Sequence, residues 1–183
     1  MKPYCEYVLA YPEDEYNKRY HDTEYGFPLE DDNQLFERLI LEINQAGLSW
    51  ITILKKQENF RRAYDGFDIA TVACYRESDR ARLLSNAGII RNKLKINAAI
   101  ENARRILQLQ KEYGSFKGWL DAHHPLSRED WTKLFKKTFL FTGGEIVNEF
   151  LLSTGYLPGA HDPDCPIFLA ILEQRPPWST HSS

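Results

Sequence analysis

The residues Ser85-Asn86-Ala87-Gly88-Ile89-Ile90-Arg91, followed by Asn92-Lys93-Leu94-Lys95-Ile96 and continuing to Tyr113, decide the fold class of this chain. From Asn92 onward, Ile96, Ala99, Ile100, Ala103, Ile106 and Leu107 recur at helical spacing, so a long helix runs to about Tyr113 and Gly114 ends it. Upstream, Ser78 can cap a helix through Leu84, which leaves Ser85 to Arg91 as a tight turn between two helices. Further out the same periodicity continues. Pro12 to about Tyr20 reads as a short helix. Asp31 or Asp32 can cap one through Leu35, Phe36, Leu39, Ile40 and Ile43 that stops near Gly47. Ser49 precedes a helix from Trp50 to about Tyr64 with Lys55, Lys56, Arg61 and Arg62 on its outer face, and Asp68 one through Cys74. Ser127 with Asp130 resembles a capping box for a helix through Lys137, and Gly143-Gly144 precedes one to about Thr154. Alternating strand patterns are scarce, so the expected fold is all-α.

Neither a linker nor a repeat divides the chain. The expectation is a single domain over 1–183: a hairpin-containing helical lobe at 30–140, a lobe made of 1–29 and 141–170 in which the chain ends meet, and a loosely held tail at 171–183. With 43% apolar and 27% charged residues in 183, the composition excludes a disordered or fibrous chain. A chain of this length buries roughly 70% of its unfolded surface, enough for a core without disulfides. No window approaches the ~20 apolar residues of a membrane helix, and no signal-like apolar run opens the sequence, so an intracellular, cytoplasmic protein without membrane contact is expected. Three cysteines, Cys5, Cys74 and Cys165, suit metal ligands or buried thiols better than a disulfide framework.

The net charge of −3 conceals a separation of sign: residues 1–50 carry −7, residues 51–140 carry +8 and residues 141–183 carry −4. A basic middle block fits a polyanionic partner such as nucleic acid, and equally a solvated basic face. Three constellations bear on chemistry. Leu35, Leu39, Glu42 and Ala46 step along one helix face, which points a carboxylate inward: either it faces a pocket, or it snorkels out or pairs with an arginine. Gln45, Trp50 and the Tyr20/Tyr25 pair could supply aromatic faces and hydrogen bonds beside it. The turn from Ser85 to Arg91, with Lys93 and Lys95, gathers free backbone amides and cations suited to a phosphate, or is a plain helical hairpin. Cys5, His21, His161 and Cys165 form the ligand set of a closed tetrahedral zinc site, or are unrelated thiols and imidazoles. His123 and His124 precede Pro125 in an expected surface loop, and His181 lies in the tail.

Taken in order, Tyr20-His21-Asp22-Thr23-Glu24-Tyr25-Gly26, Glu42, Gln45-Ala46-Gly47-Leu48-Ser49-Trp50, and Ala87-Gly88-Ile89-Ile90-Arg91 with Lys95-Ile96 closely resemble the DNA-3-methyladenine glycosylase I family, from Cys5 to Cys165. The resemblance implies a helix-hairpin-helix glycosylase that flips an alkylated base out of duplex DNA and hydrolyses its N-glycosidic bond as a monofunctional, monomeric enzyme. It implies that Glu42 is the catalytic-site carboxylate that contacts the damaged base, and that Tyr20 and Trp50 form the aromatic pocket, with Tyr25 and Tyr7 standing where the family commonly has Trp. It further implies one structural zinc on Cys5, His21, His161 and Cys165, and a DNA-gripping hairpin at Gly88, Ile89, Ile90 and Arg91, with Lys93 and Lys95 just beyond. The wider superfamily carries an aspartate some twenty residues after the hairpin. Between Arg104 and Gln110 this chain has no acid, in keeping with the 3-methyladenine family. The segment Phe141 to Phe150 differs from the best-known members. The alternative from another class is a non-catalytic damaged-DNA-binding module of the same fold.

Overall fold

The structure is a computed structural model that describes residues 3–180, and all regular structure among them is helical. The chain runs through α1 (Pro3–Ala10), α2 (Glu15–Thr23), α3 (Asp32–Gln45), α4 (Trp50–Ala63), α5 (Ile69–Ala73), α6 (Glu77–Ser85), α7 (Lys93–Tyr113), α8 (Phe116–His123), α9 (Arg128–Thr138), α10 (Gly144–Ser153), α11 (Phe168–Glu173) and α12 (Pro177–Thr180). The all-α expectation is met.

Helix α3 is the axis of the molecule. Leu35, Phe36, Arg38, Leu39, Ile40, Leu41, Glu42, Ile43 and Asn44 are all buried, so this helix is enclosed on every side rather than along one stripe. It packs on α4, α7, α8 and α10. Asp31 caps it, accepting from Gln34 N, while Asp32 accepts from the amides of Phe116 and Lys117 and thereby holds the start of α8. Helix α7 follows its predicted course: the Asn92 side chain accepts from the amides of Leu94 and Lys95, and Gly114 closes the helix at φ 82°. Behind it Phe116, Trp119, Trp131, Phe135, Phe139 and Phe150 form an aromatic core.

Several boundaries differ from the sequence reading. Asp14, not Pro12, starts α2, because its carboxylate accepts from Asn17 N. Helix α6 begins at Glu77, with Asp79 accepting from Arg76 N, so Ser78 lies inside it. Helices α1, α8 and α11 were not foreseen; each is eight residues or fewer, too short for a periodic pattern to stand out. His123 ends α8 rather than sitting in a loop, and its ring packs on Trp119. The expected loose tail is docked as far as residue 180: Pro176 is buried, Trp178 N donates to Gly155 O, and the Trp178 ring meets Phe168. His181 lies outside the described residues.

Candidate functional site

A cavity of about 400 Å³ opens where α1, α2, α3 and α10 converge, lined chiefly by Tyr4, Tyr20, Tyr25, Glu42, Trp50 and Glu149. Helix α3 delivers Glu42 from its buried C-terminal half. Gly47, in the left-handed region at φ 81°, turns the chain so that Trp50 starts α4 on the same cavity. The rings enclose the space: Tyr20 meets Trp50 edge-on at 5.0 Å and Tyr25 at 5.7 Å, and Tyr4 stands perpendicular to Tyr25 at 5.4 Å. Outside this layer the Arg38 guanidinium lies 5.1 Å from the Tyr20 ring and donates to Ser153 O.

Glu42 is 4% exposed, and among the described residues its carboxylate makes no hydrogen bond or ion pair. Burial, reinforced by the negative charge of Glu149 and only partly offset by Arg38, pushes its carboxyl up to about 8. The Tyr20 hydroxyl and the Trp50 indole N–H are also buried without a partner. Uncommitted polar groups at an aromatic cavity are ready to meet a ligand that brings donors, acceptors and positive charge.

Tyr20, Tyr25, Glu42 and Trp50 thus come together, with Gln45 also on the lining, and Tyr7 does not. Helix α1 turns Cys5 and Val8 inward, which leaves Tyr7 on the outer face, 40% exposed, donating to Asp14 Oδ2 at 2.9 Å. Its place on the cavity is taken by Tyr4, three residues earlier. Glu149 was also missed. Ile146, Glu149 and Leu152 share one face of α10, the same interruption of an apolar stripe that marks Glu42.

Beside the cavity, Cys5, His21, His161 and Cys165 bring their donor atoms within 4.8 Å of one another, all four buried. His161 Nδ1 lies 3.8 Å from Cys5 Sγ and 3.3 Å from Cys165 Sγ, and His21 Nε2 lies 3.6 Å from Cys165 Sγ. Ligands at ordinary zinc–sulfur and zinc–nitrogen lengths around a tetrahedron stand roughly 3.5 Å apart, so the donors fit a metal ion. The outer ring nitrogens are committed as well: His161 Nε2 meets Tyr25 O at 2.9 Å and His21 Nδ1 meets Asp22 Oδ1 at 2.7 Å, leaving Nδ1 and Nε2 respectively turned to the cluster. Gly26 permits the approach. At φ 84° it brings the chain so close to Ala160 that an added Cβ would lie 2.9 Å from the alanine Cβ.

At the hairpin, Asn86 Oδ1 accepts from Gly88 N at 2.8 Å, Ile89 plugs into the core, and Arg91 and Lys93 are exposed without an ion pair among the described residues. Lys95 differs from expectation: it is buried, and its ammonium donates to Asn44 O at 2.8 Å and Ala46 O at 2.7 Å. A cation at the carboxyl end of α3 satisfies carbonyls the helix leaves open, so Lys95 ties hairpin to pocket and is withdrawn from phosphate contact.

The methyladenine glycosylase family model matches residues 10–131. The chain is 36% identical over 166 residues to DNA-3-methyladenine glycosylase of Haemophilus influenzae, covering 80% of this chain and 89% of that protein. It is 52% identical over 92 residues to DNA-3-methyladenine glycosylase 1 of Escherichia coli, a match spanning 50% of this chain and about half of that protein, 49%. A structure of 3-methyladenine DNA glycosylase I from Staphylococcus aureus, determined for its recognition of 3-methyladenine, superposes with a TM-score of 0.78 at 32% identity, covering 85% of this chain and 92% of that one.

Proposed function

The chain belongs to the methyladenine glycosylase family, and on that premise we propose that it is a base-excision repair enzyme that hydrolyses the N-glycosidic bond of 3-methyladenine in double-stranded alkylated DNA. The observation that carries this reading is the buried, unpartnered carboxylate of Glu42 inside an aromatic cavity. Methylation at position 3 makes the adenine cationic, so the leaving group is activated before the enzyme meets it and a strong acid is unnecessary. The pocket's task is to recognise the cation. Electron-rich faces of Tyr20, Trp50 and Tyr25 attract it, and Glu42, ionised by its arrival, accepts hydrogen bonds from the base edge, interactions that neutral adenine matches poorly. Glu42 is thus the site's catalytic carboxylate through recognition, and no side chain is assigned as nucleophile or general base.

With the Gly88 and Ile89 amides turned back onto Asn86 to shape the turn, the Ile90 and Arg91 amides and the Arg91 and Lys93 cations are left for the DNA backbone, and Lys95 holds that hairpin against the end of α3. Cys5, His21, His161 and Cys165 would hold one structural zinc, which joins the chain ends beside the pocket and, with all four positions filled by protein, leaves none for a catalytic water. The enzyme acts as a cytoplasmic monomer in this reading. The test is chromatography of the bases that the purified protein frees from methylated duplex DNA. Free 3-methyladenine is expected; salt-sensitive duplex binding with no base released would replace this reading with the non-catalytic module.

A further inference from the structure

The function above uses one pocket carboxylate, yet the cavity holds two. Glu149 reaches it from α10 and Glu42 from α3, so the acids approach the same space from different walls. Glu149 is half-buried and has no ion pair among the described residues. Its hydrogen bonds are long, one from the Tyr25 hydroxyl at 3.4 Å and one from Asn148 Nδ2 at 3.2 Å, which leaves acceptor capacity facing the cavity. Burial raises both carboxyl groups, and the charge on Glu149 raises Glu42 further. Neighbouring acids in such a place resist double ionisation, so together they present one O–H donor and one carboxylate.

That pair matches a particular chemistry. An alkylated adenine offers its exocyclic amine as a donor, which a single carboxylate satisfies. An alkylated guanine carries the acceptor O6 in the same place, with two donors, ring N1–H and the amine, along the edge beside it. A lone carboxylate repels O6, whereas an acid and a carboxylate together can donate to O6 and accept from N1–H and the amine.

We propose that Glu149 is a second base-recognising carboxylate, acting with Glu42 so that the pocket admits methylguanine cations as well as methylated adenine. The inference rests on the glycosylase reading, with Glu149 setting the breadth of its substrate class. The experiment compares wild type, Glu149→Gln and Glu149→Asp on methylated duplex DNA, with 3-methyladenine, 3-methylguanine and 7-methylguanine resolved by chromatography and folding checked by thermal melting. Wild type is expected to release at least one methylguanine. Glu149→Gln should lower the ratio of methylguanine to 3-methyladenine release at least about tenfold, and Glu149→Asp, which keeps the charge, should restore part of it. If Glu149→Gln does not fold, the ratio in Glu149→Asp decides, a fall supporting the proposal and an unchanged ratio overturning it. Release of 3-methyladenine alone by wild type overturns the role of Glu149 and leaves the glycosylase reading standing, as does an unchanged ratio in Glu149→Gln. Release of no base overturns both.

Discussion

Glu42 shows how one side chain can be costly to the free protein and useful to it. Its carboxyl, 4.5 in an ordinary setting, stands at about 8 because the helix that carries it is enclosed on all sides. Between these values the folded protein holds a proton that the unfolded chain has lost, so stability from this group is greatest at low pH and falls as pH rises through that window. Urea denaturation at a series of pH values should therefore show wild type losing stability relative to Glu42→Gln between about pH 5 and pH 8. A pH-independent difference would mean that Glu42 is ionised throughout. The sequence made this residue legible, because an acid among Leu35, Leu39 and Ala46 breaks an apolar stripe. Tyr7 misled for the opposite reason: position along the chain was plain, but the rotation of a short helix was not, and Tyr4 occupies the cavity instead.

At the scale of elements, the hairpin and the pocket are separate motifs in sequence and one unit in space. Lys95 makes them so, spanning 51 residues to Asn44 O and 49 to Ala46 O. Lysines beside a basic turn resemble phosphate ligands, and nothing in the spacing tells which of them folds back onto a helix end. Lys95→Met keeps the length of the side chain but leaves buried carbonyls unpaired, and should destabilise the protein by about 2 kcal/mol in denaturant titration. A smaller change in stability with a large loss of duplex affinity would return Lys95 to the DNA surface. Long elements were readable from capping residues and periodicity, as α3 and α7 show. Short ones were set by tertiary contacts: Asp32, at the start of α3, fixes the start of α8 across more than 80 residues.

For the molecule as a whole, the Cys5, His21, His161 and Cys165 cluster brings the two ends of the chain together, through a turn that Gly26 permits. Residue types announced this cluster, but only the fold brings side chains 144 residues apart into contact, as with Cys165 and His21. Because structural metal binding is coupled to folding, Cys165→Ser should lower zinc content and melting temperature together. A metal-free protein of unchanged stability would remove zinc from the account. The central claim, that a buried carboxylate in an aromatic pocket recognises a charged base, is tested most directly by single-turnover excision of 3-methyladenine with Glu42→Gln, alongside duplex affinity. Excision about 10- to 100-fold slower, the loss expected for one charge-assisted hydrogen bond, with duplex affinity retained, is the predicted result. Excision at the wild-type rate would contradict it.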